Sequence, residues 1–225
     1  FSKIQGRFNT RLSLSSANAD EVIKKRLLEK NDTGKDAVQL LYTSEVKASL
    51  RNKINFSDGT ISLKKYDTLK DFSEFYPMIP YQLDLLQQVF TKIRENSSAG
   101  KHFASGERNL LGAVQYAALE YAEKDLGILI PFQTFYGHLD QGLDHSVRAT
   151  IIKAQSTPTL QSFDVDVLKV LYLIRYLKSV PSTVENITTL MLDELDADRL
   201  KLTENITAAL DRLTKEYLVQ RTGLE

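Results

Sequence analysis

Residues 165–178 read Val165-Asp-Val-Leu-Lys-Val-Leu-Tyr-Leu-Ile-Arg-Tyr-Leu-Lys178. Apolar residues fill most of the positions, and neither proline nor glycine interrupts the run. The spacing predicts a strongly apolar helix. The elements before and after it can be placed relative to this helix.

Two further helices and a short strand are predicted after this helix. Ser182 and Glu185 have the spacing of a capping box, which predicts the start of the second helix. Thr203 is a candidate cap for a third helix over 204–216, and 218–221 resembles a strand that enters a Thr-Gly turn. Three helices, a strand and a turn follow one another in a winged helix, so residues 159–225 predict a winged-helix-like domain with a truncated wing.

Before the helix, Ser156-Thr157-Pro158-Thr159 is the clearest linker, and we predict a domain boundary at 158. Upstream, the alternating runs over 53–63 surround Asp58-Gly59 and predict a β-hairpin. The fold class predicted for the chain is therefore mainly α, with a small β-hairpin and a partial wing. The other predicted helices cover about 18–30, 35–50, 68–75, 81–95, 106–124 and 139–155.

Composition excludes several classes of protein. The 29 Lys and Arg residues balance 29 Asp and Glu residues, so no global field attracts nucleic acid or an anionic membrane. The absence of cysteine excludes disulfides and thiolate metal sites and is typical of a reducing compartment, so we expect a cytoplasmic protein. His102, His138 and His145 are too scattered to predict a metal site. No apolar run approaches the roughly 18–20 residues that span a bilayer.

The sequence contains no phosphate-binding loop. Gly100-Lys101 and Gly34-Lys35 are Gly-Lys pairs, but neither has a second glycine five residues before its glycine or a Ser or Thr after the lysine. Both ends of the chain fall in what looks like ordered sequence, so we expect an excised fragment of a larger intracellular protein. Such a fragment is not expected to hydrolyse a nucleotide by itself.

A sharper signal lies in Ser105-Gly106-Glu107-Arg108, where a cap, a glycine and an arginine begin a helix rich in Leu and Ala. A cation in the first turn meets the positive end of the helix dipole, at a cost of only tenths of a kcal/mol. The placement makes sense if Arg108 faces an anion that it shares with the helix terminus. A solvent-facing arginine is an equally simple interpretation of the pattern.

Arg7 is a second candidate, because it precedes Phe8 in a loop before a short predicted strand. An arginine held in this way suits a finger that stabilises charge on a phosphoryl group from a neighbouring subunit. An ordinary surface arginine is the alternative. A Gly-Arg-Phe loop, a strand, a basic helix and a Gly-x-Arg-x-Leu helix together resemble the end of an AAA+ ATPase core and its helical lid.

Several blocks of the sequence resemble the P-loop ATPase of BREX-type phage-defence systems, the BrxC/PglY family. The blocks are residues 6–16 (GRFNTRLSLSS), 19–23 (ADEVI), 76–82 (YPMIPYQ), 100–102 (GKH), 106–108 (GER) and 168–176 (LKVLYLIRY). The resemblance implies that 1–17 end the ATPase core, that 18–158 form a lid-like domain, and that 159–225 follow it as the winged-helix-like domain.

The resemblance also implies roles for individual residues. Arg7 would be the trans-acting arginine finger and Arg108 the second sensor, which touches the γ-phosphate. Gly106, Lys101 and His102 are weaker candidates for the same phosphate site. ATP and Mg²⁺ would bind the parent protein, whose nucleotide-binding loop would lie N-terminal of Phe1. The implied partners are further copies of the parent, as a homo-oligomer, and other defence-system subunits, with no membrane.

Charge argues against strong DNA binding by the C-terminal region. From Phe163 onward there are eleven acids and eight bases, a net charge of −3. Glu204 and Asp211 lie on the third predicted helix, where a groove-reading helix would meet phosphate repulsion. We therefore favour a protein-contact role and expect only weak DNA binding. A stand-alone winged-helix DNA-binding regulator and a purely structural helical adaptor are the alternative functions.

Two further groups of residues have simpler interpretations. The polar group of His138, Asp140, Asp144 and His145 is loosely metal-like in spacing, but helix caps and a solvated face explain it better. Five aromatic residues are assigned to the core: Tyr116, Tyr121, Phe132, Phe135 and Tyr136.

Overall fold

A computed structural model describes residues 16–57, 64–96, 106–140 and 143–221, and the protein is mainly helical, as the sequence predicts. The elements in chain order are α1 (Ser16–Val22), a π-helical turn (Ile23–Leu27), α2 (Asp32–Leu41), α3 (Ser44–Lys53), α4 (Leu69–Phe75), α5 (Tyr81–Asn96), α6 (Gly106–Glu120), a 3₁₀ turn (Phe132–Phe135), α7 (Tyr136–Leu139), α8 (His145–Ser156), α9 (Ser162–Ile174), α10 (Val184–Leu190) and α11 (Arg199–Lys215). None of the described helices is long and apolar enough to cross a membrane.

Local capping explains the helices that the sequence predicts well. The Thr68 hydroxyl accepts a hydrogen bond from the Asp71 main-chain N–H, and the Asp71 carboxylate accepts one from the Thr68 N–H, which completes a capping box at the start of α4. Pro80 immediately precedes α5, whose apolar residues are buried along its length. These signals lie within four residues of the helix that they define.

Tertiary contacts change several predicted boundaries. The single helix predicted over 35–50 is two helices, because Thr43 caps α3 by accepting from the Val46 N–H. Tyr42, at the break, stacks on Phe72 and donates a hydrogen bond to the carbonyl of Tyr66 at 3.0 Å. The helix predicted over 18–30 also divides, into α1 and the π-helical turn, and the helix predicted over 139–155 begins later, at His145 of α8.

The last two helices are capped by residues other than the predicted ones. Thr183, not Ser182, caps α10 by accepting from the Asn186 N–H. Asp198 caps α11 by accepting from two main-chain N–H groups, while Thr203 lies inside the helix. A carboxylate that accepts two N–H bonds in the first turn is a stronger cap than a hydroxyl one turn later.

The predicted strands are not confirmed. Lys53 ends α3 instead of starting a hairpin, and residues 58–63, which include its turn, lie outside the described residues. In the described part of the chain no strand forms at 218–221, because the chain turns at Tyr217 (φ 57°) and the Leu218 N–H donates to the carbonyl of Leu213. An isolated antiparallel bridge joins Ile128 to Glu194.

One cluster of buried apolar side chains runs from Ala19 to Leu213. The division of the chain at 158 remains a prediction, and contacts cross it at several points. The Ser57 N–H donates to the Asn186 side chain at 2.8 Å, and Lys53 donates to the carbonyl of Leu195 at 2.9 Å. Residues on the two sides of 158 therefore share one core.

Candidate functional site

The first turn of α6 carries the arginine that the sequence singles out. Gly106 is the first residue of α6, and Arg108 follows it with an exposed side chain. Two residues later, Leu110 is fully buried, so the helix is anchored while the arginine faces outward. Within the described ranges Arg108 forms no ion pair and has no hydrogen-bond acceptor. Among the described residues, therefore, no carboxylate pairs with its guanidinium.

His138 packs against the same helix one turn further along. A methyl group added to Gly112 would lie 2.5 Å from Cε1 of His138, so only glycine lets the ring approach the helix this closely. Burial lowers the pKa of His138, against the opposing effect of a hydrogen bond with the main chain of Asn109. The imidazole is therefore neutral at pH 7, and it joins α7 to the turn that carries Arg108.

The other predicted site residues cannot be located against Arg108. Arg7, Lys101 and His102 lie outside the described residues. Of the predicted set, the structure brings together Gly106 and Arg108, in a single turn of helix. His138, which the sequence places in a loose polar group, is the neighbour that the sequence did not predict; its only signal was a glycine four residues after the arginine.

The polar group around His138 is held by ion pairs. The Arg148 Nε lies 3.0 Å from Asp140 Oδ2, and the Tyr136 hydroxyl donates to Asp140 Oδ1 at 3.2 Å. Arg175 lies 3.8 Å from Asp144. Throughout the described ranges, no group of three or more His, Asp or Glu side chains is arranged to hold a metal ion.

A polar cleft of about 390 Å³ lies among α6, α7, α8 and α9. Tyr116, assigned to the core from the sequence, is instead 41% exposed and lines this cleft. Burial and the nearby Asp140 carboxylate raise the pKa of Tyr136, so its hydroxyl stays protonated. Lys169 pairs with Asp166 at 2.7 Å across the same wall. Since these charges neutralise one another, the cleft offers hydrogen-bonding groups more than an unpaired acid or base.

A second and larger cleft, of about 720 Å³, lies among the π-helical turn, α2 and α4. We call it the lysine cleft, because five lysines line it: Lys24, Lys25, Lys30, Lys35 and Lys70. The sequence placed four of these lysines in a basic helix and a separate Gly-Lys pair, and it did not single out Lys70. The packing of α4 against both the π-helical turn and α2 brings them to one place.

The two arginines of α11 form hydrogen bonds within the protein. Arg212 makes two hydrogen bonds to the buried carboxylate of Asp164, at 2.8 and 2.6 Å. Arg199 donates to the carbonyls of Lys53 and Glu185. A helix that reads a DNA groove presents such groups to phosphates and bases instead. This arrangement and the net negative charge of the region both argue against strong DNA binding.

No protein-family model matches this chain, and no solved structure matches it. Neither comparison therefore tests the resemblance to a BREX-type ATPase, and the assignment of the site depends on the geometry and charges described above.

Proposed function

We propose that this chain is the nucleotide-sensing and relay portion of an oligomeric AAA+-like P-loop ATPase of a BREX-type antiphage system. In this proposal Arg108 contacts the γ-phosphate of ATP bound by its own subunit, and Arg7 reaches the ATP of a neighbouring subunit. The ATP and Mg²⁺ are held mainly by other parts of the parent protein. The observation that carries the proposal is the exposed guanidinium of Arg108, which has no ion-pair partner among the described residues and stands in the first turn of a helix anchored by buried Leu110.

Electrostatics supports the role of Arg108. A cation next to the free N–H groups of a helix start is unfavourable by tenths of a kcal/mol when no anion is present. No carboxylate in the described part of the chain pairs with Arg108 to offset that cost. A phosphate at the same position would accept hydrogen bonds from the guanidinium and from the helix amides together.

A path of packed helices supports the relay. The helix α6 contacts α7 and the 3₁₀ turn, and both of these contact α9. In turn α9 packs on α10 and α11. Because His138 leaves no gap at Gly112, a shift of α6 on nucleotide binding would move α7 with it. Such a shift is a rigid-body mechanism for passing nucleotide state to partner subunits.

The test uses the full-length ATPase that contains this chain. Arg108→Ala should reduce the rate of ATP hydrolysis by about tenfold or more, because a charge-assisted hydrogen bond contributes roughly 1.5–3 kcal/mol. Arg108→Lys should retain part of the activity, since it keeps the charge and loses the bidentate geometry. Hydrolysis is measured at saturating ATP, together with the affinity for a non-hydrolysable analogue.

Arg94→Ala is the matched control, since Arg94 is also an exposed helical arginine, on the neighbouring helix α5. It should leave hydrolysis unchanged. An unchanged rate in Arg108→Ala would sink the sensor assignment and leave a structural helical adaptor as the better interpretation.

A further inference from the structure

An aromatic ring is held in place at the edge of the polar cleft among α6, α7, α8 and α9. Tyr116, on α6, lines this cleft and is 41% exposed. The far end of its ring lies against the main chain of α7, where a methyl group added to Gly137 would stand 2.7 Å from Cζ and 2.9 Å from Cε1. Because only glycine allows this approach, the ring is packed at one end while much of its surface stays exposed beside the cleft.

Two ion pairs form other parts of the cleft wall. Arg148 Nε lies 3.0 Å from Asp140 Oδ2, and Lys169 Nζ lies 2.7 Å from Asp166 Oδ1. All four side chains line the cleft and are between 24% and 41% exposed. A guanidinium or ammonium group keeps further N–H donors after one contact, and a carboxylate keeps further lone pairs. Each pair therefore presents donors and acceptors side by side without a net charge.

The charges that line the cleft sum to −1. Glu120, Asp140 and Asp166 are its acids, and Arg148 and Lys169 are its bases. A lining of this sign disfavours an anionic ligand. Glu120 is exposed at the end of α6 and forms no ion pair among the described residues. A cation would gain little from a carboxylate that water already solvates, so the lining favours a neutral ligand.

Some polar groups of the cleft are not available to a ligand. The Tyr136 hydroxyl donates to Asp140, and Gln133 Oε1 is buried, so neither is counted as a contact. Gln155, on α8, is exposed and lines the cleft, and its amide both donates and accepts. The groups that a ligand can reach are therefore the ring of Tyr116, the amide of Gln155 and the two ion pairs.

This combination matches the chemistry of a sugar ring. One face of a pyranose carries C–H groups, whose slight positive charge suits the negative face of an aromatic ring. Its hydroxyls each donate and accept, which suits ion pairs that offer both functions at adjacent atoms. The cleft volume of about 390 Å³ lies toward the lower end of the range of small-molecule sites.

We propose that the polar cleft binds a neutral sugar unit, with the C–H face of the sugar on the ring of Tyr116 and its hydroxyls on the two ion pairs. Arg108 does not line this cleft, so the site is separate from the one proposed for nucleotide sensing. Sugar binding and the ATPase effect of Arg108→Ala can therefore fail independently of each other.

The test is a saturation-transfer NMR titration of the 225-residue chain with the methyl glycosides of glucose, galactose, mannose and N-acetylglucosamine. At least one glycoside should bind saturably. Tyr116→Ala should weaken its affinity by about fivefold to tenfold, because the ring contact is lost, whereas Tyr116→Phe should keep it. Lys169→Met should weaken it by about fivefold, because hydrogen bonds to the sugar hydroxyls are lost.

Leu119→Ala is the control, because Leu119 is exposed on the same helix but does not line the cleft; it should leave the affinity unchanged, and circular dichroism checks that all variants fold. Tighter binding of the corresponding disaccharide than of the methyl glycoside would indicate a glycan, and equal binding a single sugar; either result supports the site. The proposal is overturned if none of the four glycosides binds saturably up to about 50 mM. Unchanged affinity in Tyr116→Ala, or tighter binding of n-butylammonium or adenosine than of every glycoside, would also overturn it.

Discussion

The carboxylate of Asp164, at the start of α9, is fully buried and accepts two hydrogen bonds from the guanidinium of Arg212 in α11. The two bonds have the parallel geometry of a bidentate pair, Nε to Oδ2 at 2.8 Å and Nη2 to Oδ1 at 2.6 Å. Asp164 Oδ2 also accepts from the Gln161 N–H, which caps α9. One carboxylate thus fixes the start of one helix and the end of another.

Removing Arg212 should destabilise the protein strongly. Arg212→Met keeps much of the apolar stem but leaves a buried carboxylate without its main partner, at an expected cost of about 3 kcal/mol in the free energy of unfolding. Urea denaturation measures this loss. Arg94→Met, at an exposed arginine, should change stability by no more than about 0.5 kcal/mol.

The pH dependence of the same pair has a defined sign. Burial opposes ionisation of Asp164, but the hydrogen bonds from Arg212 and from the Gln161 N–H outweigh it and hold the pKa of Asp164 below its ordinary value. The stabilisation is therefore complete above the unfolded pKa of about 4 and is lost as pH falls through the lowered folded value. If Arg212→Met and the wild type lose stability in parallel on acidification, the pair is not the cause.

The chain should bind duplex DNA weakly. The region from Phe163 has a net charge of −3, and Arg199 and Arg212 donate to acceptors within the protein. We expect a dissociation constant of about 10⁻⁴ M or weaker at physiological salt, measured by fluorescence anisotropy. Micromolar binding that falls steeply with salt, and that weakens in Lys201→Met, would instead favour the DNA-binding regulator.

A methyl group at position 112 should separate α6 from α7. Gly112→Ala gains about 1 kcal/mol of helix propensity, but the methyl group would meet the ring of His138 at 2.5 Å. Overpacking typically costs about 1–3 kcal/mol, so we expect a net loss of thermal stability. In a His138→Ala background the same substitution should be neutral or stabilising, and a loss of equal size there would show that the ring is not the obstacle.

Because of Lys30, the free energy of unfolding should increase as the pH rises. Because burial lowers its folded pKa to about 8, below the unfolded value, the folded state binds fewer protons between these two values. The destabilisation is complete below pH 8 and disappears as pH rises toward the unfolded value of about 10.4. This destabilisation is on the order of 3 kcal/mol, since each pKa unit corresponds to about 1.4 kcal/mol.

Lys30→Met should therefore be more stable than the wild type at pH 7 in a buffer without phosphate, and the difference should shrink toward pH 9.5. Urea denaturation at several pH values measures both effects. Lys201→Met, exposed on α11, should show neither of them. A difference between Lys30→Met and the wild type that stays constant with pH would mean that packing, and not titration, separates them.

Local signals were sufficient for the helical class and for some of the helix boundaries. The Thr68 capping box and the Pro80 start of α5 act through residues within a few positions, so the sequence contains all the groups involved. The division of the predicted helix over 35–50 combines a local cap, the Thr43 hydroxyl on the Val46 N–H, with the packing of Tyr42 on Phe72, thirty residues away. Helix propensity is too weak to resist such packing.

The sequence by itself determined that the chain is mainly helical, that it carries no phosphate-binding loop, and that an arginine stands in the first turn of α6. Tertiary structure decided which charges have partners. Arg212 finds Asp164 forty-eight positions before it, while the buried Lys30 amine has no hydrogen-bond partner among the described residues. The reason is physical: caps and periodicity act within a turn or two of helix, whereas the pairing and desolvation of a charge depend on every element packed around it.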